Sequence, residues 1–577
     1  MAVIRKVEIS HFRSIKSLEW YPTPGINCLI GSGDSGKSTV LDAIDLCLGA
    51  RRSIPITDAD FHMIDVETPI SVTLTLGDLS DSLRNYEAYG DYLRGYEDLL
   101  GTIEDEPGNG LETVLSLNLE IAGDLEPRWR LRSDRADAKG SERNLNWKDR
   151  LNLAPTRLGA TSDHNLAWRR GSVLGRLSEE TPDASLALSQ AAREARKAFG
   201  NDADAQLGDA LASVKKAADE LGIPIGAKAQ ALLDTHSVSM TGGSIALHDE
   251  NGVPLRGLGL GSTRLLIAGL QREVAAVSSI LLVDEVENGL EPHRIIRLLG
   301  SLGAKEQVPP QQVFATTHSP IVLRELAARQ LRVLRKSEDR HVVRLVADTA
   351  QGTLRSAPEA FLAPSVLVCE GASEIGFVRG FEQHCAANGR PSIFACGVAL
   401  VDGGGGHPDR LYQKATEFVK LGYRAGVFRD ADLVPNAQIE AAFHQAAGVT
   451  FTWHAGQSLE AAIIGNIGDA TLLVLLDYAI AEHGQEMVAA HVQSASANQE
   501  SIENLRAILH SPQQIISPAQ RDIIVAACTT KRNPWFKTIG RMEYVARNVL
   551  APNFGNVSED FQNRVNALLA WAQTLHG

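Results

Sequence analysis

Residues Gly31-Ser32-Gly33-Asp34-Ser35-Gly36-Lys37-Ser38-Thr39 set glycines, a lysine and hydroxyls in the order GxxxxGK[ST]. The chemistry suited to that spacing is polyphosphate binding. Gly31 and Gly36 let backbone amides turn inward around phosphate oxygens, and a helix opening at the lysine adds the positive end of its dipole. Lys37 would then reach the β- and γ-phosphates as a point charge and Ser38 would ligate Mg2+, with Asp34 and Thr39 in the same turn. The flanks agree: Gly25 to Ile30 is a short apolar strand-like run, and Thr39 to Leu48 reads as a helix. A second apolar run, Ser279 to Val283, ends in Asp284-Glu285. Opposite a phosphate loop, Asp284 would hold the Mg2+ shell and Glu285 would orient or deprotonate the attacking water. A third run from Val313 leads to His318, placed to sense a γ-phosphate.

The second half of the chain carries a different carboxylate set. Ser365 to Cys369 reads as a buried strand, followed by Glu370-Gly371 and, one helical turn on, by Glu374. Arg424 to Arg429 reads as another strand, ending in Asp430-Ala431-Asp432. Carboxylates at the ends of neighbouring parallel strands converge on the sheet's C-terminal edge. They repel one another there and are stable together only around hard cations. This is the logic of Mg2+- or Mn2+-dependent phosphodiester cleavage, where one metal activates water and the other stabilises the leaving oxygen. Asp402, followed by four glycines, ends a further strand near the same edge and reads as part of a flexible substrate-side loop.

Positioning two such sites requires large α/β units, and the chain is long enough for them. Its 577 residues correspond to about three to four domains. The 44% hydrophobic and 22% charged content excludes a wholly disordered chain. No apolar run approaches the ~18 residues of a membrane span. The start, Met-Ala-Val-Ile-Arg-Lys-Val-Glu, has no apolar signal core, so a cytoplasmic location is expected. Six scattered cysteines without a CxxC pair read as reduced, buried small hydrophobes and not as a zinc site. A net charge of −14 excludes a generally basic DNA coat. Any nucleic-acid contact must use local basic patches or bound metal.

Two segments lie between the nucleotide motifs. One, from Leu79 to about Arg150, contains Pro127-Arg128-Trp129-Arg130-Leu131-Arg132, which reads either as a DNA-contacting patch or, preferably, as an edge strand with a solvated arginine face. The other, 178–235, has helical spacing and suggests an antiparallel helical hairpin serving dimerisation. The expected boundaries are an ATPase N-terminal part at 1–177, this hairpin at 178–235, an ATPase C-terminal part at 236–360, and a nuclease domain at 361–577.

The Gly257-Leu-Gly259-Leu-Gly261-Ser262 loop, one helix ahead of the acidic strand, resembles the signature loop of ABC-type ATPases, though it lacks their usual serine position. In those ATPases the loop caps the γ-phosphate held by the other protomer, which the resemblance would assign to Gly261 and Ser262. The opening Ile9-Ser10-His11-Phe12-Arg13 is similar to the DNA-associated branch, while no glutamine stands out as a Q-loop. Glu370-Gly371 with Glu374, followed by Asp430 and Asp432, resembles a Toprim domain. An ABC-type ATPase fused to Toprim resembles the OLD (overcoming lysogenization defect) family of ATPase–nucleases, which includes the Gabija endonuclease.

That resemblance implies an α/β chain with an ABC-type P-loop domain, an inserted dimerisation hairpin, and a Rossmann-like Toprim domain with helical additions. It implies ATP and divalent metal as cofactors, DNA as substrate, a dimer or dimer of dimers, and a role in anti-phage defence. Family systems also pair with a helicase-like protein or a reverse transcriptase. Glu370 would be general base or first metal ligand, with Glu374, Asp430 and Asp432 as further ligands. Glu460 would be the downstream acid, with Asp477 a weaker competitor, and Lys531 or Lys537 would neutralise the scissile phosphate. The expected function is therefore an ATP-regulated, metal-dependent DNA endonuclease. The rival reading is a DNA-binding repair or recombination clamp whose Toprim module only docks.

Overall fold

The computed structural model describes residues 2–98, 101–159, 163–168, 172–177, 190, 193–194, 207–216, 226–228, 245–252, 254–274, 279–511 and 513–574. The hairpin expected over 178–235 lies for the most part outside the described residues.

The first sheet runs through β1 (Val3–Phe12), β2 (Ile15–Trp20), β3 (Ile26–Ile30), β4 (Ile70–Gly77), β5 (Leu93–Glu97), β6 (Thr102–Glu104), β7 (Glu112–Ile121), β8 (Pro127–Arg132) and β9 (Thr156–Leu158). After the short pair β10 (Ala167–Trp168) and β11 (Ile245–Ala246), it resumes with β12 (Ile280–Val283), β13 (Gln312–Thr316), β14 (Leu331–Ser337) and β15 (Arg340–Leu345). Its order is β6-β5-β7-β4-β1-β2-β15-β14-β3-β13-β12-β9, with β8 beside β7. β14, β3, β13, β12 and β9 are mutually parallel, whereas β1, β2, β4, β5 and β7 pair antiparallel. The patterning follows this division. β3, β12 and β13 are buried along their whole length, as parallel strands covered on both faces must be, while β2 mixes buried Ile15, Leu18 and Trp20 with exposed Lys16, Ser17 and Glu19. Residues 79–150 supply β5 to β8 and so extend the antiparallel wing.

On β8 every arginine meets an acid: Arg130 lies 2.7 Å from Glu120, Arg132 3.6 Å from Asp137, and Arg128 pairs with Asp124. Arg150 covers the Trp129 ring at 4.0 Å. These pairs and the exposure of the arginine side chains are what a solvated edge strand presents.

The second sheet is wholly parallel: β16 (Ser365–Cys369), β17 (Val398–Asp402), β18 (Arg424–Arg429) and β19 (Val449–Thr452), in the order β17-β16-β18-β19. Helices Ala372–Ala387, Asp409–Lys420 and Ala437–Gln445 make the crossovers. The chain leaves β16 toward β17 on one side and returns to β18 on the other. The gap between β16 and β18 is thus the topological switch point, where open α/β sheets bind ligands at their carboxyl edge. Among the described residues, seven α-helices from Leu459 to Ala572, with a π-helical turn at Val545–Leu550 and a 3-10 turn at Ala551–Asn556, close one flank of this sheet, sharing a core with Leu367, Phe377 and Phe428. The other flank, with Val366, Val427, Phe418 and Tyr423, is continuous with the core under β3, β12 and β13.

Candidate functional site

The parallel register of β3, β13 and β12 brings three strand ends to one edge. Gly31 (φ 145) and Gly36 (φ 87) turn the backbone in conformations that L side chains avoid, and the helix Lys37–Leu48 starts directly after. Lys37 Nζ donates to the Ser32 carbonyl at 2.7 Å, the Gly31 carbonyl at 3.2 Å and Ser35 Oγ at 3.3 Å. Burial, and next the charge of Arg335, push its ammonium down to about 8. Ser38 Oγ donates to Asp284 Oδ1 at 3.0 Å, and Thr316 Oγ1 to the same oxygen at 2.7 Å. Ser38 and the acidic strand thus meet across a sequence separation of 246.

Glu285 is exposed and follows with φ 46, a strained backbone for a glutamate. His318 is exposed, and its loop is gripped by Glu287, which accepts from the His318 amide at 2.6 Å and from Thr317 Oγ1 at 2.7 Å. Asp34 is exposed on the loop, and Thr39 Oγ1 lies 3.5 Å from Ser14 Oγ. Gly261 and Ser262 sit in the first turn of the helix Leu260–Glu273. Their contacts are with the segment after the acidic pair and with Arg294. A Cβ on Gly261 would lie 2.2 Å from the Gly289 carbonyl, and Ser262 Oγ accepts from Arg294 at 3.1 Å.

At the switch point of the second sheet, a carboxylate oxygen from each of Glu370, Asp430 and Asp432 lies within 4.8 Å of the others. Glu370 Oε2 accepts from the Asp430 amide at 2.9 Å, and Asp430 Oδ1 accepts from the Leu459 amide at 2.7 Å. Glu374 is buried and bonds the Gly371 amide at 2.9 Å. Glu460, at the start of the helix Leu459–Asn466, is 1% exposed, and among the described residues neither of its oxygens has a hydrogen-bond partner. Burial, reinforced by the neighbouring carboxylates, holds Asp430 and Glu374 well above the ordinary carboxyl range, and burial also raises Glu370. A fully buried, unpartnered carboxylate beside three converging ones is what a cation site offers.

Lys537 is exposed beside this cluster. Burial acts to lower its ammonium, but Glu460, Asp430, Glu374 and Asp432 outweigh it and raise it. Lys531 is exposed at the start of the same loop. Asp402 ends β17 with its carboxylate accepting from the Gly404 amide at 2.8 Å. Its glycine loop is tied to β16 through the Gly403 and Gly405 amides, which donate to the Cys369 and Glu370 carbonyls at 2.7 and 2.9 Å. Asp477 is instead bound to Arg506 at 2.8 Å among the C-terminal helices.

The family described as "AAA domain, putative AbiEii toxin, Type IV TA system" matches residues 26–324, just over half of the chain. The chain belongs to this AAA family. The AAA chain is also 24% identical over 378 residues to a protein named OLD nuclease from Thermus scotoductus (strain ATCC 700910 / SA-01). That match covers 59% of this chain and 63% of the relative, less than two thirds of the latter's length. The relation to the OLD family expected from the motifs is thereby borne out. Two solved structures are similar: the SmcHead bound to the C-winged helix domain of ScpA, and an Smc head domain with an extended coiled coil bound to the C-terminal domain of ScpA derived from Pyrococcus furiosus. The first has 14% identity, TM-score 0.34, and covers 60% of this chain and 99% of its own. The second has 12% identity, TM-score 0.33, and covers 61% and 99%.

Sequence reasoning about the AAA chain missed three residues at the nucleotide edge. Arg157 on β9 reaches Asp42 at 2.6 Å and Asp284 at 3.5 Å, although its three-residue strand carries no motif. Arg264, wholly buried, donates to the carbonyls of Asp284, Glu285 and Asn288 at 2.8–2.9 Å, locking the Gly-rich helix to the acidic loop. Thr316 was findable, since it stands two residues ahead of His318 at the end of a recognised strand.

Proposed function

We propose that this chain is an ATP-regulated, divalent-metal-dependent DNA endonuclease of the anti-phage defence type. ATPase parts at 1–177 and 236–360 would flank a dimerisation insertion at 178–235, and a Toprim nuclease domain would occupy 361–577. The observation that carries the reading is the convergence of Glu370, Asp430 and Asp432 within 4.8 Å at the switch point. The orphaned oxygens of Glu460 behind them add to it.

In the nucleotide site, Lys37 would bind β/γ-phosphate oxygens, Ser38 and Asp284 would hold the Mg2+ of the nucleotide, and Glu285 would take a proton from the attacking water. His318 would sense the γ-phosphate. Gly261 and Ser262 would cap the nucleotide of a second copy. In the nuclease site, Glu370, Asp430 and Asp432 would hold one cation, and Glu374 and Glu460 would complete the donor set. Bound divalent metal supplies Lewis acidity to water and to the leaving oxygen. Glu370 would act either as a ligand of that cation or as the base that takes a proton from the attacking water. Lys537, held as an ammonium in the field of the carboxylates, would neutralise the scissile phosphate in preference to Lys531.

Plasmid nicking by wild type and Glu370→Ala, with Mg2+ or Mn2+ and with or without ATP, tests this. Metal-dependent nicking that disappears in the variant is expected. A wild type inert under every metal and nucleotide, or a variant that still cuts, overturns the nuclease reading in favour of a docking module.

A further inference from the structure

The loop that would bind nucleotide and the carboxylate cluster sit on different sheets, and Arg335 reaches from the first to the second. Arg335 belongs to β14, the neighbour of β3. The residue before it, Leu334, backs directly onto the phosphate loop: a Cβ on Gly31 would lie 2.7 Å from the Leu334 carbonyl oxygen. From there the Arg335 guanidinium leaves its own sheet. It stacks over the Tyr423 ring at 3.9 Å and donates to the Ala363 carbonyl at 2.9 Å. Tyr423 is fixed in turn, its hydroxyl donating to the Phe361 carbonyl at 2.7 Å and its ring edge-on to Phe418 at 5.4 Å.

Ala363 lies two residues ahead of β16, and Tyr423 one residue ahead of β18. These are the two strands whose far ends deliver Glu370 and Asp430. Each is five to six residues long, and neither has an exposed residue. At about 3.3 Å per residue, a displacement at their N-terminal ends is carried some 15–20 Å to the carboxylates by rigid, paired backbone. A cavity of about 330 Å³ separates the phosphate loop (Ser32, Gly33, Asp34, Ser35) from Arg335, Lys336, Pro364 and Gly422. The loop is therefore packed against β14 at Gly31 and faces open space at Ser32 to Ser35. A polyphosphate accepts from the same ammonium that Lys37 now gives to Gly31, Ser32 and Ser35, so nucleotide binding exchanges loop-internal bonds beside Leu334.

We propose that Arg335 is the positioning residue through which nucleotide on the phosphate loop acts on the carboxylate cluster, by shifting the N-terminal ends of β16 and β18 together. This names the regulation of the nuclease read above and, for its consequence on cutting, rests on that reading. The structural link itself does not. Arg suits the role because its planar fork stacks and hydrogen-bonds at once, which a lysine cannot do.

Hydrogen–deuterium exchange on the full chain, with and without a non-hydrolysable ATP analogue, separates the two ideas. In wild type the analogue is expected to protect residues 31–40 and also to change exchange in 363–369 and 423–429 by about five-fold or more. In Arg335→Met the protection of 31–40 should persist while the change in 363–369 and 423–429 is lost. Arg335→Lys keeps the charge and stem and should lose most of that change, so the comparison survives if the methionine variant misfolds. Wild-type segments 363–369 and 423–429 that ignore the analogue, or variants that respond as wild type does, overturn the proposal. Nicking assayed beside it reports separately on the nuclease: absence of cutting in wild type removes that reading and leaves the link standing or falling on exchange alone.

Discussion

Two charged residues with similar burial serve opposite electrostatic ends. Lys37 is a cation pushed toward neutrality by burial and by Arg335, ready to regain its charge on a phosphate. Asp430 is an acid pushed toward protonation by burial and its carboxylate neighbours, ready to ionise on a cation. Lys37→Ala should cut ATP turnover about 100-fold or more, a loss typical of removing one electrostatic donor, in a phosphate-release assay. Asp430→Ala should leave that turnover intact and abolish nicking. The raised carboxyls also set a pH dependence. A group whose folded value lies above its unfolded one stabilises the fold fully below the unfolded value and loses that contribution as pH rises through the folded one. For Asp430, Glu374 and Glu370 this window opens near 4, in the ordinary carboxyl range, and extends upward. In scanning calorimetry the metal-free chain should thus lose melting temperature as pH rises through that window. Mn2+ should restore it, with a larger gain at pH 8 than at pH 5.

The elements act through close approach. The helix Leu260–Glu273 reaches the acidic loop because Gly261 has no side chain, and Arg264 then binds three carbonyls of that loop. Backbone stands 2.2 Å from the would-be Cβ, so Gly261→Ala must push helix and loop apart. The expected result is a destabilisation of about 1–3 kcal/mol in urea unfolding, with ATP turnover reduced while analogue binding at the phosphate loop is retained. On the second sheet, Gly426 of β18 admits the Trp571 ring, whose nearest atom would lie 3.1 Å from a Cβ. This lets the helix Glu559–Ala572 cover β18 and β19. That closure was not legible from the segment's sequence, which shows a helix but not the surface it packs on.

Across the whole molecule, one apolar core runs from beneath β3, β12 and β13 to the flank of β16 and β18. Phe361, Phe418 and Tyr423 pack ring against ring, with Phe361 and Phe418 centroids 4.9 Å apart. The two sheets consequently should not behave as beads on a linker. A chain ending at residue 360 loses its partner for that surface and should melt below the full chain and bind an apolar dye, as measured by differential scanning fluorimetry with both proteins at equal concentration.

What the sequence by itself determined was local and covalent. A phosphate loop needs a strand, a turn of glycines and a helix in immediate succession, so Gly31 to Thr39 declared its geometry without tertiary knowledge. Glu370 with Glu374, and Asp430 with Asp432, are each held close by spacing along one turn. Only the tertiary structure decided which of these pieces face one another. Parallel pairing of β3, β13 and β12 joined Ser38 to Asp284, and the order of the second sheet joined Glu370 to Asp430. That Lys537 stands in the field of Glu460, Asp430 and Glu374 was likewise set by packing, and Arg157, Arg264 and Arg335 carry no motif. Each arginine acts on groups far from it in the chain, and only the packing of strands and helices specifies that distance.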